Sequence, residues 1–108
     1  MAGATPWGIS QTTEQIAEGI IFYSTASHGG YGLSRLRMRE FLDQFPEFET
    51  FAGGPWFEED FDSAMIPVAF PEHFPAEQVA MARDRVRSMA SHGYERFETV
   101  ARSMRSSR

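Results

Sequence analysis

Two short stretches hold the residue types that chemistry needs. The first is Ser27-His28-Gly29-Gly30. A histidine on a glycine-rich bend can serve as a general base or a metal ligand. Glycines also let a ligand approach the backbone. The competing reading is a structural turn in which His28 bonds a neighbouring backbone group. The second stretch is Glu58, Glu59, Asp60 and Asp62, followed by His73. Hard cations take carboxylate oxygens, although the spacing is not that of an EF-hand. On a helix, positions 58 and 62 share a face, as do 59 and 62. Such a pair can bind Mg²⁺ or work as acid and base. Acids also collect in a first helical turn for dipole reasons alone. One reading is therefore a metal-dependent or histidine-based hydrolase using His28 with Glu58, Glu59 or Asp62. No catalytic residue or metal ligand set is assigned, and no cofactor is expected.

A third group is Arg83, Arg85, Arg87 and Arg96. Arginines on helices can contact phosphate. The chain has no lysine, a pI near 5.1 and no aromatic residues interleaved with 83–87, so direct nucleic-acid binding is not expected. Pairing with the acidic stretch is the simpler role. There is no phosphate-binding loop, dinucleotide fingerprint or nucleophile elbow.

The elements that position these residues are legible from periodicity. Thr12–Ala17 alternates as a short strand, and Ile20 to Thr25 is dense in β-branched and aromatic residues. Glu18-Gly19 lies between them as a turn. Tyr31-Gly32-Leu33 is a candidate third strand. Met38, Phe41, Leu42 and Phe45 sit at helical spacing, with Ser34 as N-cap and Pro46 as stop. The stretch 53–74 reads as a core helix with an acidic first turn. In it Phe57, Phe61, Ala64, Met65 and Val68 form one face. Pro67 predicts a bend or stop. Two more helical faces follow, through Val79, Ala82, Val86 and Met89, and through Phe97, Val100, Ala101 and Met104. The expected fold is α+β: a β-hairpin or three-stranded meander over about residues 12–33, then about four helices packed on it. Trp7, Phe22, Phe41, Phe57, Phe61, Met65 and Val86 are predicted to be mostly buried. A chain of 108 residues fits one domain, 1–108, with loose ends at about 1–4 and 105–108.

The charge is unevenly placed. Residues 40–82 carry ten carboxylates and no arginine, whereas 83–108 carry seven arginines, within a net charge of −5. Such asymmetry bears on partners and association rather than on fold. The plain reading is a solvated acidic face beside a basic helix. There is no cysteine, hence no disulfide framework and no thiolate zinc site. No apolar run approaches the ~18 residues of a membrane span. No basic and then apolar leader is visible, so a cytoplasmic protein with no membrane partner is expected.

Three blocks together resemble a known family. They are Thr5-Pro6-Trp7-Gly8, YSTASHGG at 23–30, and GGPWFEED at 53–60 followed by AFPEHF. The resemblance covers about residues 5–75. It is to a small domain family encoded on phages, plasmids and integrated elements of proteobacteria. Where members often carry a further aromatic or a cysteine after the acidic block, this chain has Phe61 and Ser63, so no thiol chemistry is implied. The family brings no activity to carry over. Its setting implies an accessory role in the host cytoplasm, such as an anti-CRISPR or anti-restriction inhibitor bound to a CRISPR effector or restriction enzyme. The expected contact surface is Glu58, Glu59, Asp60 and Asp62 with Glu47, Glu49 and Glu72, occupying a basic groove. The His28-Gly29-Gly30 bend is the alternative surface. An antitoxin-like regulator acting through dimerisation is a third reading.

Overall fold

The computed structural model describes residues 4–106. The expected loose ends at 1–3 and 107–108 lie outside them, while Ala4 is in a strand and α4 below runs through Ser106. The first element is a two-stranded hairpin, β1 (Ala4–Thr5) and β2 (Gly8–Ile9). Its bend is held by the Thr5 hydroxyl, which donates to the Gly8 carbonyl at 2.7 Å and accepts the Trp7 N–H at 3.1 Å. Strands β3 (Thr12–Ala17), β4 (Ile20–Ser24) and β5 (Gly29–Leu33) then form the meander. The turn at Gly19 uses φ +81°, a left-handed conformation that glycine adopts freely.

A fourth strand, β6 (Trp56–Glu58), pairs antiparallel with β5 and gives the sheet order β3-β4-β5-β6. The expected helix over this stretch is thereby corrected. Its apolar spacing fits a helix, but the chain is turned by Gly53 and Gly54 at φ +87° and +58°. The Pro55 carbonyl then accepts the Leu33 N–H at 3.1 Å, and Tyr31 comes opposite Phe57. Pairing with β5 satisfies backbone groups and buries the Phe57 ring fully, against Phe41 at 4.9 Å. Helical structure starts only at a 3₁₀ turn, Asp62–Ala64, and continues as a short α-helix over Met65–Ala69, all five of whose residues are buried. Pro67 stands in the first turn of that helix, where its missing donor has no intrahelical acceptor to lose.

The helices are α1 (Arg35–Gln44), α2 (Met65–Ala69), α3 (Ala76–Ser91) and α4 (Glu95–Ser106), so the fold is α+β. Ser34 caps α1 by accepting the Arg37 N–H at 3.1 Å. The core centres on Phe41, Phe57, Phe97, Met65, Ile66 and Val86. Phe48, in the loop after α1, links Phe57 to Phe97 through ring contacts at 6.4 and 5.5 Å. Of the residues predicted as mostly buried, Phe41, Phe57, Met65 and Val86 are. Trp7, Phe22 and Phe61 are half-buried. Trp7 lies on the outer sheet face, Phe22 packs on Tyr31 at 5.1 Å, and Phe61 on Tyr94 at 5.5 Å.

Candidate functional site

The seven carboxylates expected on one surface divide between interior and exterior. Glu47, Glu49, Glu59, Asp60 and Glu72 are exposed, whereas Glu58 is 8% and Asp62 0% exposed. The reason is the strand. On β6 the side chains alternate between faces, so the acids do not lie opposite an apolar stripe as they would on a helix. Nor is Asp62 left without a cation. Arg96, from α4, donates its Nε–H to Asp62 Oδ1 at 2.9 Å, and the Phe51 backbone N–H donates to Oδ2 at 2.6 Å. The Arg96 guanidinium also lies over the Phe51 and Phe97 rings. Arg85 donates to the Asp60 carbonyl at 2.5 Å, and Arg87 pairs with Asp84 at 3.1 Å. Glu72 lies apart, beside His73, whose ring is within 3.4 Å of Arg37.

The exposed acids that do gather are Glu47 and Glu49. With Glu95 they line a groove of about 420 Å³ between the loop after α1 and helix α4. Phe45, Phe48 and Val100 supply its apolar side. Glu95 was not in the expected set, because it is far away in sequence and on another element. No signal in the chain links it to Glu47.

The two stretches singled out for chemistry meet at the other end of the sheet. Gly30 pairs with Glu58, and the Glu59 N–H donates to the Gly29 carbonyl at 3.0 Å, which brings the bend before β5 beside the turn that follows β6. His28, Glu58 and Asp60 each offer a ligand atom within 4.8 Å of the others. The bend itself is held by Thr25, whose N–H and hydroxyl both donate to the His28 carbonyl, at 2.7 and 2.6 Å.

Glu58 is the unusual member. Its Oε1 is buried and has no hydrogen-bond partner. Burial pushes its carboxyl pKa up, and the Asp60 charge pushes it further, against a partial offset from the Asp60 and Phe61 backbone N–H groups. Its cross-strand neighbour Gly30 has no side chain. The Trp7 ring occupies that space, with Cη2 2.5 Å from where a Cβ would stand. Trp7 in turn packs edge-on against Trp56 at 5.8 Å. Of the residues expected to work with His28, Glu58 is thus brought to it and Asp60 joins them. Asp62 is instead committed to Arg96, and Glu59 is tied by its backbone N–H to Gly29, with its Oε1 3.3 Å from where a Cβ on that glycine would stand.

Among the described residues, no helix is long and apolar enough to cross a membrane. No curated protein and no solved structure matches the chain. A family model described as "Domain of unknown function (DUF7007)" matches residues 1–108, and the chain belongs to that family.

Proposed function

We propose that this chain is a small binding protein from a mobile element that inhibits a host defence nucleoprotein complex, of CRISPR or restriction type. It would dock the groove edged by Glu47, Glu49 and Glu95 onto a basic surface of that complex. The observation that carries the reading is the groove itself: three carboxylates around an aromatic side of about 420 Å³. Arg96 also lines it, but its Nε–H is already given to Asp62. Uncompensated carboxylates steer a cationic partner and raise its on-rate, with an effect that falls as salt rises. The apolar floor gives an arginine or lysine stem something to pack on. The absence of any arginine or lysine between residues 40 and 82, and the resemblance to mobile-element proteins, support the same reading.

The structure-based contact set differs from the one read off the sequence. Glu58 and Asp62 leave it because they are interior, Glu59, Asp60 and Glu72 because they do not line the groove, and Glu95 enters. The test is phage plating on cells that carry a defined CRISPR or restriction system and express the chain. Expression should raise plating efficiency. The Glu47→Arg/Glu49→Arg/Glu95→Arg variant, shown to be folded by circular dichroism, should lose the effect. No rise with any defence system sinks the inhibitor reading. A rise that survives the charge reversal sinks the groove as the contact surface.

A further inference from the structure

We infer that His28, Glu58 and Asp60 form a binding site for a divalent cation of the Zn²⁺ or Mn²⁺ class. This is independent of the groove, which is lined by other residues.

Exposed carboxylates beside a histidine are common and carry little by themselves. The observation that singles out this corner is Glu58. The residue is more than nine-tenths buried, and Oε1 has no hydrogen-bond partner. A buried carboxylate oxygen left without a donor is costly, and folds supply a donor to almost all such atoms. The Asp60 and Phe61 backbone N–H groups offset the charge only in part and leave Oε1 unpartnered, and the nearest polar side chains bring no fixed donor to it. Asp60 is a second acid, and His28 Nδ1 or Nε2 is a ligand atom when neutral, all within 4.8 Å. A cation at the centre of the three would satisfy Oε1, cancel the Glu58–Asp60 repulsion and give the imidazole a partner at once.

The local fold is suited to this. Gly30, opposite Glu58, has no side chain, and the Trp7 indole packs over it. Other charged groups at the corner are Glu59, whose carboxylate is held near Gly29, and Arg85, which donates to the Asp60 carbonyl. Arg85 opposes a cation through its charge, and Glu59 favours one.

Ligand chemistry sets the class of metal. One imidazole with two carboxylates suits Zn²⁺ or Mn²⁺ better than Ca²⁺, which prefers six to eight oxygen ligands. Three protein ligands are fewer than either metal takes. At least one position is left for water or for a group from a ligand, which is the pattern of open rather than closed structural sites. Because the ligands must be deprotonated, binding releases protons and weakens as pH falls.

The test is calorimetric titration of the chelator-treated protein with ZnCl₂ and with MnCl₂, repeated in two buffers of different ionisation enthalpy. Mn²⁺ electron paramagnetic resonance gives an independent count of bound ion. One ion per chain with proton release is expected. His28→Ala, Asp60→Asn and Glu58→Gln should each weaken binding at least about tenfold, the smaller end of what loss of even an outer-shell partner does. His92→Ala, at an exposed histidine bonded to the Ser88 carbonyl, is the control and should leave binding unchanged. Glu58→Gln keeps shape and volume, so loss of folding does not obscure the result. Failure of both ions to bind, or binding that Glu58→Gln leaves intact, overturns the inference.

Discussion

Asp62 and Arg96 tie the segment after β6 to helix α4, and breaking that tie should be the most damaging single polar change in the chain. Asp62 is fully buried, with Oδ1 accepting from Arg96 at 2.9 Å and Oδ2 from the Phe51 N–H at 2.6 Å. In Asp62→Ala the Phe51 amide loses its acceptor, and the Arg96 guanidinium, 24% exposed, keeps its charge with no counter-ion. Removing one partner from a buried pair costs about 3–5 kcal/mol, because the remaining group stays desolvated and unpaired. Unfolding entropy is about 2.1 cal/mol/K per residue, or roughly 0.23 kcal/mol/K for this chain, so the melting temperature should fall by about 13–22 °C. Arg96→Met should also be destabilising, since it strands the carboxylate, although the methionine retains contact with the Phe51 and Phe97 rings. The two together should cost less than their sum, with a coupling of about 1–3 kcal/mol. Urea unfolding at neutral pH, followed by circular dichroism on both single variants and the double, measures all three numbers. Single-variant losses below about 1 kcal/mol, or strict additivity, would show that the contact is not an energetic link.

Other substitutions separate core from surface. Phe41→Ala should cost about 3–5 kcal/mol, as for a fully buried ring, and the half-buried Phe61→Ala about half as much; equal losses in urea melts would contradict the burial difference. Gly30→Ala places a methyl against the Phe57 carbonyl and 2.5 Å from the Trp7 ring, so it should lose about 1–3 kcal/mol and shift tryptophan emission as Trp7 is displaced. An unshifted spectrum with wild-type stability would mean that Trp7 does not lie on Gly30. Burial raises the Glu58 pKa above the ordinary glutamate range in the folded state, so the native protein binds its proton more tightly than the unfolded chain does. Its contribution to stability is therefore most favourable at low pH, declines as pH rises from the ordinary carboxylate range through the raised folded value, and is level beyond it. Metal-free Glu58→Gln should remove that decline and be more stable than the parent at neutral pH. A parallel pH dependence in both proteins would contradict the assignment.

Much of the fold was readable because it is local. The β3–β4 hairpin follows from alternation around Glu18-Gly19. Helix α1 follows from its apolar spacing, with Ser34 and Pro46 as start and stop signals, and α3 and α4 follow from periodicity alone. The α+β class comes from that order of patterns. Strand β6 was not readable. Three residues are too few to show a period of two, and Phe57, Phe61, Ala64, Met65 and Val68 match a helix as well. What decides the matter is an open edge on β5, a property of another segment. The same non-locality sets the candidate sites. His28 and Asp60 are brought together only by the β5–β6 register, and Glu95 joins Glu47 and Glu49 only when α4 packs on the loop after α1. Local sequence determined which carboxylates are close along the chain. Burial and pairing are properties of the surroundings, so only the tertiary structure decided that Glu58 lies inside with Oε1 unpartnered, Asp62 inside with Arg96, and Glu47, Glu49, Glu59, Asp60 and Glu72 in water.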